Sequence, residues 1–346
     1  MFSSIGNLSQ HWHVVATASE IGTGRSLKRK IYGQPLLIWR DESRKLHVLL
    51  DCCAHKRAPL EVKDFHQNQI VCPYHGWEYD AEGALTKVPS SPDACDKLKC
   101  SLPSFPVVES AGFVWVYLGD GTPENEIPDI EEFIGSGWGS KFKTMSFETT
   151  EELLIDNFMD PTHTALVHDG LIRSSQNSTW HEMSITTHSH GVRVDYAEQE
   201  ESVGIGLRML FGRSMKVRHA DEFLMPNLVK VTYWFNGEPR FLALIACTPL
   251  EGLDAAPTRA FVQLRYRFGA LNYAIKPFLG VLANKVLKQD FEITRDQFRN
   301  MQDCPEQKEH LVAADAVAAR VSVFRQNAVQ KLAPPDQSTQ TLRLQF

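Results

Sequence analysis

Residues 53–75 read CAHKRAPLEVKDFHQNQIVCPYH, with a thiol and an imidazole at each end. Cys53 and His55 make a C-x-H pair, Cys72 and His75 a C-x-x-H pair, and residues 56–71 separate them. Zinc fingers usually keep like ligands together, as C-x2–4-C with H-x3–5-H. Here each pair is mixed, which suits a two-iron, two-sulfide cluster fed by two loops, each giving one thiolate and one imidazole. Both Cys on one iron and both neutral His on the other would raise the reduction potential. A Cys2His2 structural zinc site uses the same four ligand types and stays open as the alternative.

Outward from this stretch, the first third of the chain reads as strands. RKIYGQPLLIWR (29–40), KLHVLLD (45–51), QIVCPYHGWEYD (69–80) and GFVWVYLGD (112–120) are β-branched and aromatic runs between Gly, Pro and Asp turns. Residues 8–118 are therefore expected to form a small all-β domain. DGTPENEIPDIEEF (120–133) is a Pro-containing acidic connector. Residues 119–346 then read as an α+β domain: FETTEELLIDNFMDPTHTALVH (147–168) looks helical, residues 191–268 look like several long strands, and residues 272–302 form a long helical stretch. The polar tail APPDQSTQTLRLQF (333–346) is expected to be loosely held.

The 346 residues carry a net charge of −6 and are 43% hydrophobic, ordinary for a globular chain of two domains. No Lys/Arg-rich run supplies phosphate contacts, which argues against nucleic acid as a partner. The opening MFSSIGNLSQHWHVV shows no signal peptide, and apolar runs such as EPRFLALIACTPL (238–250) are too short for a bilayer. Seven cysteines suggest thiols or metal ligands over a disulfide scaffold. The expectation is a soluble, cytoplasmic protein without a membrane partner.

A second constellation lies in DNFMDPTHTALVH (156–168), which holds Asn157, Asp160, His163 and His168. His163 and His168 stand about 140° apart on an ideal helix and would not share a face. Pro161 removes a helical hydrogen bond to the Asn157 carbonyl, so a kink or local rewinding that lets the imidazoles converge is expected. Asp160 and His163 are about 60° apart, close enough for the carboxylate to accept from an imidazole N–H. Two His and one carboxylate are the preferred set for non-haem Fe(II) with positions left open. Asp290, Glu292 and Asp296 in VLKQDFEITRDQF (286–298) are the candidate carboxylates.

CAHKRAPL and CPYHGWEYDAEG, extended by Gly76, Trp77, Tyr79 and Gly83, resemble the Rieske motif of non-haem iron oxygenases. Lys56 and Arg57 stand where many relatives have Arg directly after the first His. The N-x-x-D-x-x-H-x4-H string resembles the mononuclear-iron motif of the same family. Gln289-Asp290 matches its [E/Q]-D pair, which favours Asp290 as the third ligand over Asp296. The branch most resembled includes vanillate and dicamba O-demethylases, caffeine N-demethylases and the aminoarene oxygenase of pyrrolnitrin biosynthesis. The resemblance implies a Rieske [2Fe-2S] domain followed by a helix-grip (START-like) catalytic domain. It further implies a terminal oxygenase alpha subunit that uses O2 to hydroxylate or demethylate a small molecule. A separate NAD(P)H-dependent reductase or ferredoxin would supply electrons. In such oxygenases a head-to-tail homotrimer places each cluster beside the neighbour's iron, with Asp160 as the bridge to His75 of the next chain and Asn157 beside it at the catalytic centre. A pure electron-transfer protein and a zinc-stabilised ligand-binding module are the rival classes.

Other features carry less. His181, His188 and His190 in HEMSITTHSH (181–190) lack an accompanying carboxylate or thiol. Cys95, Cys100, Cys247 and Cys304 are expected as buried free thiols, and Cys52 as a buried neighbour of Cys53. VGIGLRMLFG (203–212) lacks the G-x-G-x-x-G spacing of a dinucleotide site. Phe223, Trp234 and Phe235 are expected to line a pocket for an apolar, ring-containing substrate.

Overall fold

The computed structural model describes residues 2–123, 126–130, 133–169, 171, 180–201 and 215–345, and within it the chain divides into two compact units. The first runs over Ser9–Ile127 with Leu250–Gly252, the second over Pro128–Pro249 and Leu253–Phe346 with Ser4–Leu8. The glycines of residues 203–212 lie outside the described residues.

The first unit is built from ten strands: β1 (Trp12–Thr17), β2 (Arg25–Ile31), β3 (Gln34–Arg40), β4 (Leu46–Leu50), β5 (Glu61–Asp64), β6 (Gln69–Val71), β7 (Glu78–Tyr79), β8 (Leu85–Lys87), β9 (Val107–Ser110) and β10 (Phe113–Tyr117). They form three antiparallel sheets, ordered β1-β10-β9, β2-β3-β4 and β5-β6-β7-β8. WHVVAT and FVWVY are buried along their whole length, which is why these runs are apolar without alternation. Among the described residues, the one α-helical feature here is the single turn Cys95–Leu98. Cys53 and Cys72 belong to a core shared with Leu49, Leu60, Ile70, Trp77 and Tyr79.

The second unit adds β11 (Gly139–Phe147), α1 (Glu151–Met159), β12 (Trp180–His188), β13 (Gly191–Tyr196), β14 (Gln199–Glu201), β15 (Met215–Leu224), β16 (Leu228–Phe235), β17 (Glu238–Pro249), β18 (Thr258–Tyr266), α2 (Asn272–Asp303), α3 (Ala316–Val329) and β19 (Ser338–Gln345). The strands make one antiparallel sheet, β11-β18-β17-β16-β15-β13-β12-β19, with β14 paired to β15. Burial along β12 alternates residue by residue, as a strand with one covered face requires. Where β13 meets β15 the chains approach so closely that a Cβ on Gly191 would stand 1.8 Å from the Phe223 carbonyl oxygen, so only glycine fits. Helices α1 and α2 pack on one face of β11: the Phe147 ring lies 6.1 Å from Phe158 of α1 and 6.0 Å from Phe291 of α2. A long helix held against an antiparallel sheet is the helix-grip arrangement.

Two expectations are corrected. The polar tail is not loose: Ser338–Gln345 pairs with Trp180–Thr187 as the edge strand β19. The helix foreseen over 147–168 stops at Met159, because Asp160 takes an extended conformation (φ −86°, ψ 115°) ahead of Pro161. The start of α1 is well anchored. Thr150 Oγ1 accepts from Leu153 N–H at 3.3 Å, and the buried Glu151 carboxylate pairs with Arg325 of α3 and accepts from Asn227 at 2.9 Å.

Candidate metal centres

Two loops of the first unit repeat the same backbone plan. Cys53 N–H donates to the Ala58 carbonyl at 2.9 Å, and Arg57 N–H returns to the Cys53 carbonyl at 2.8 Å. In the other loop Cys72 N–H donates to the Trp77 carbonyl at 2.8 Å, and Gly76 N–H returns to Cys72 at 2.9 Å. The fifth residue of each loop is left-handed, Arg57 at φ 61° and Gly76 at φ 71°. The turn demands that conformation, which Gly76 adopts freely and Arg57 does not.

These loops bury the two sulfurs and leave the two imidazoles exposed. Tyr79 OH lies 3.2 Å from Cys53 Sγ and accepts from Ala54 N–H at 3.2 Å. The His55 ring stacks on Trp77 at 4.7 Å and 3°, and its centroid is 4.7 Å from that of His75. Burial pushes the Cys72 thiol up, with Cys53 alongside adding to the effect. A tetrahedral zinc would hold its ligand atoms within about 3.8 Å of one another, from Zn–S bonds near 2.3 Å. Among the described residues, a set of three or more ligand atoms within 4.8 Å of one another occurs only at His163, His168 and Asp290. The Cys/His quartet is spread too widely for one zinc, and its two-sulfur, two-imidazole division fits a two-iron cluster.

In the second unit the break at Pro161 brings His163 and His168 together. His163–Ala165 rewinds as a short 3-10 turn, and Val167 N–H closes back on the His163 carbonyl at 2.8 Å. His163 Nε2 and His168 Nε2 approach to 3.3 Å, and Asp290 Oδ1 lies 3.6 Å and 3.0 Å from them. The tautomers follow from the other ring nitrogens. His163 Nδ1–H donates to the Asp160 backbone carbonyl at 2.7 Å, and His168 Nδ1–H donates to Gln289 Oε1 at 3.0 Å. Both Nε2 lone pairs therefore point at each other and at a carboxylate. Asp290 Oδ1 is buried and accepts no hydrogen bond among the described residues. Three lone-pair donors facing one another repel unless a cation sits between them, so the donor set fits a metal ion.

Electrostatics distinguish the two rings. Burial holds the His163 imidazole below its ordinary value although Asp290 and Asp160 oppose it. Burial also pulls His168 down, but Asp290 and Gln289 outweigh it and the ring ends above its ordinary value. The competing carboxylates are accounted for elsewhere: Asp296 is exposed and pairs with Arg295 at 2.7 Å, and Glu292 pairs with Lys288 at 3.8 Å.

Asp160 is placed differently from expectation. Its carboxylate stands 3.8 Å from His163 Nδ1, too far to accept from it. Instead Oδ1 accepts from Thr162 N–H (2.7 Å) and Thr162 Oγ1 (2.6 Å), and Oδ2 accepts from His163 N–H at 3.2 Å. The carboxylate thus builds the turn while the Asp160 carbonyl orients the ring. Asn157 Oδ1 is buried without a hydrogen-bond partner among the described residues. So is Asp156 Oδ1, a group the sequence reading missed; burial first, then Glu152, push its carboxyl up to about 7. Only the spacing of four residues to Asp160 could have drawn attention to it.

Other candidates separate. Phe223 and Phe235 project to the helix-covered face of the sheet, but Trp234 projects to the opposite face under the Arg218 guanidinium at 4.1 Å. His188 stands 3.4 Å from Glu222, while His181 projects to the other face. Cys247 is buried as expected; Cys52, Cys95 and Cys100 are half-buried and Cys304 is exposed.

Residues 11–106 match the family described as Rieske [2Fe-2S] domain, and residues 147–331 match the vanillate O-demethylase oxygenase C-terminal domain. The chain is 32% identical over 162 residues to chlorophyllide a oxygenase of Chlamydomonas reinhardtii, covering 46% of this chain and 24% of that protein. It is 29% identical over 168 residues to the 5,5'-dehydrodivanillate O-demethylase oxygenase subunit of a Sphingobium strain, covering 46% and 39%. The chain spans less than half the length of each of these curated relatives. Among solved structures, dicamba monooxygenase bound to 3,6-dichlorosalicylic acid superimposes with a TM-score of 0.78 at 19% identity, covering 94% of this chain and 98% of that one. That likeness shows a common fold.

Proposed function

The chain belongs to the family of the vanillate O-demethylase oxygenase C-terminal domain, carried behind a Rieske [2Fe-2S] domain, and from that premise we propose that it is the terminal oxygenase of a multicomponent system. The reaction is monooxygenation, as hydroxylation or oxidative demethylation, of an apolar, ring-containing small molecule. The observation that carries this reading is the convergence of His163 Nε2, His168 Nε2 and Asp290 Oδ1, with His168 and Asp290 buried.

Cys53, His55, Cys72 and His75 would hold the cluster, and His163, His168 and Asp290 the mononuclear Fe(II). When bound, the cluster supplies single electrons, and the iron, with positions left open by three protein ligands, supplies dioxygen activation. The chain's own residues do the rest. Gln289 and the Asp160 carbonyl fix both imidazoles in the tautomer that aims Nε2 inward. The burial of Asp290 and His168 keeps bulk water from the donor set. On the same sheet face Phe223 is buried, and His219 is stacked between Tyr196 (3.8 Å) and Tyr233 (5.1 Å), a wall suited to a flat ring.

Electrons come from a separate NAD(P)H-dependent reductase or ferredoxin, because no dinucleotide fingerprint occurs in this sequence. We place the protein in the cytoplasm, where its free thiols persist; no described helix is long and apolar enough to cross a membrane. We assign it as a head-to-tail homotrimer in which Asp160 meets His75 of the next chain. The Asp160 carboxylate supports this, since it is 38% exposed and Oδ2 keeps an unused acceptor site. The test is NADH-driven oxygen uptake with a reductase and a panel of aromatic ethers and amines. Substrate-dependent uptake with an oxygenated product is expected. A cluster that cycles without product would assign electron transfer alone, and a colourless protein would assign zinc.

A further inference from the structure

Three arginines cluster where β17 begins and β18 ends beside Trp138, with Arg240 at a bulge of β17 between Pro239 and Phe241. Arg267 N–H donates to the Arg240 carbonyl at 2.9 Å, one step beyond the Phe241–Tyr266 pair, so Arg240 and Arg267 lie directly opposite each other. Arg265 is two residues from Arg267 and projects to the same side. Like charges directly opposite across strands destabilise a sheet, and a guanidinium cannot discharge by losing its proton.

Among the described residues one carboxylate answers the three: Glu238 pairs with Arg267 at 3.2 Å. Arg267 also lies over the Trp138 ring at 5.2 Å, and Arg240 Nη1 donates to the Arg267 carbonyl at 3.2 Å. The Nε atoms of all three are buried without an acceptor among the described residues. Arg265 has neither a hydrogen bond nor an ion pair among the described residues, and burial alone pulls its guanidinium below the ordinary value. Ser140 of β11 is its cross-strand partner, and the Ser140 hydroxyl is also buried without a partner. Ser146 and Arg259 form the same cross-strand pair farther along these strands, and there Arg259 Nε does donate to Ser146 Oγ at 3.5 Å. At Ser140 and Arg265 the register is the same and the bond is not made.

This face is not the one that carries the iron ligands. Side chains alternate along β11; Phe147 packs on α2, and a Cβ on Gly280 of α2 would stand 3.4 Å from Lys141. Odd-numbered residues of β11 therefore face the helices, and Ser140 faces away.

We propose that this outer face binds a small dianionic oxyanion, inorganic phosphate or a phosphate monoester, between Arg240, Arg265, Arg267 and Ser140. Among the described residues, three guanidinium groups against one carboxylate leave an excess of two positive charges, which a dianion balances. The planar guanidinium fork matches two oxygens of a phosphate, and the Ser140 hydroxyl supplies a further donor.

Titration calorimetry and thermal unfolding of the metal-loaded protein test this, with inorganic phosphate and phenyl phosphate as probes and sodium chloride at matched ionic strength as the control. Phosphate is expected to bind saturably and to raise the unfolding temperature beyond the chloride control. Phenyl phosphate binding as tightly would assign the site to monoesters, and inorganic phosphate binding alone would assign it to the free ion. Arg265→Met is expected to fold with an unchanged visible spectrum and to weaken phosphate binding at least about tenfold, the loss of a charge-assisted hydrogen bond. A phosphate response no larger than that of chloride would overturn the proposal. So would undiminished binding in Arg265→Met, or failure of that variant to fold, since a cation without a partner adds nothing to the native state.

Discussion

Arg57 holds a left-handed backbone at φ 61° in the loop position that its twin fills with Gly76. A side chain there costs on the order of 1–2 kcal/mol, offset in part by the greater chain entropy that glycine loses on folding. Arg57→Gly is therefore expected to stabilise the cluster-loaded protein by about 0.5–1 kcal/mol in chemical denaturation; a loss of stability would mean the Arg57 side chain contributes more than the strain removes. Asp156 acts in the other direction. Its carboxyl sits at about 7 in the folded chain, above the ordinary 3.8. Between those two values the unfolded chain releases the proton while the folded chain keeps it, so stability falls as pH rises through the window and levels off above it. Asp156→Asn should match the parent near pH 4 and exceed it at pH 8 by up to about 4 kcal/mol. A difference that does not change with pH would show that Asp156 does not titrate this way. His75 offers a third test: His75→Cys should keep a cluster but lower its potential by on the order of 100 mV or more, as a fourth thiolate adds negative charge. An unchanged potential would remove His75 from the ligand set.

At the scale of the element, the end of α1 decides the proposed iron site. Pro161 forces Asp160 out of the helix, and the rewound turn carries His163 round to meet His168. Pro161→Ala permits the helix to continue, which would carry His163 away. The variant is expected to keep its cluster spectrum and lose most mononuclear iron by metal analysis; full iron retention would show that the Asp160–Thr162 bonds alone hold the turn. The break at Pro161 was legible in the sequence because it rests on local chemistry. The role of Asp160 was not, because a helical wheel describes a helix that has already ended at Met159. The tail was misread for a related reason. TQTLRLQ has the alternation of a strand but little apolar content, and its partner Trp180–Thr187 lies far away in sequence. Trp234 failed on parity, since one residue along a strand moves a side chain to the other face.

At the scale of the whole molecule, the proposed function requires the two metal sites to exchange electrons, and the proposed trimer does this through Asp160 of one chain and His75 of the next. Asp160→Asn keeps an oxygen for the Thr162 bonds but removes the charge. It should retain both metals and the trimer while slowing reoxidation of the reduced cluster by O2 at least about 100-fold, on the scale of a lost transition-state hydrogen bond. Rapid reoxidation would leave Asp160 as a turn-former only. The central claim, however, is that this chain holds a cluster and a separate catalytic iron. Its most direct test is iron and acid-labile sulfide content per chain in the anaerobically reconstituted protein and in Asp290→Ala. The account predicts about three irons and two sulfides for the parent, and two of each for the variant with the cluster spectrum intact. Equal iron in the two proteins would contradict it.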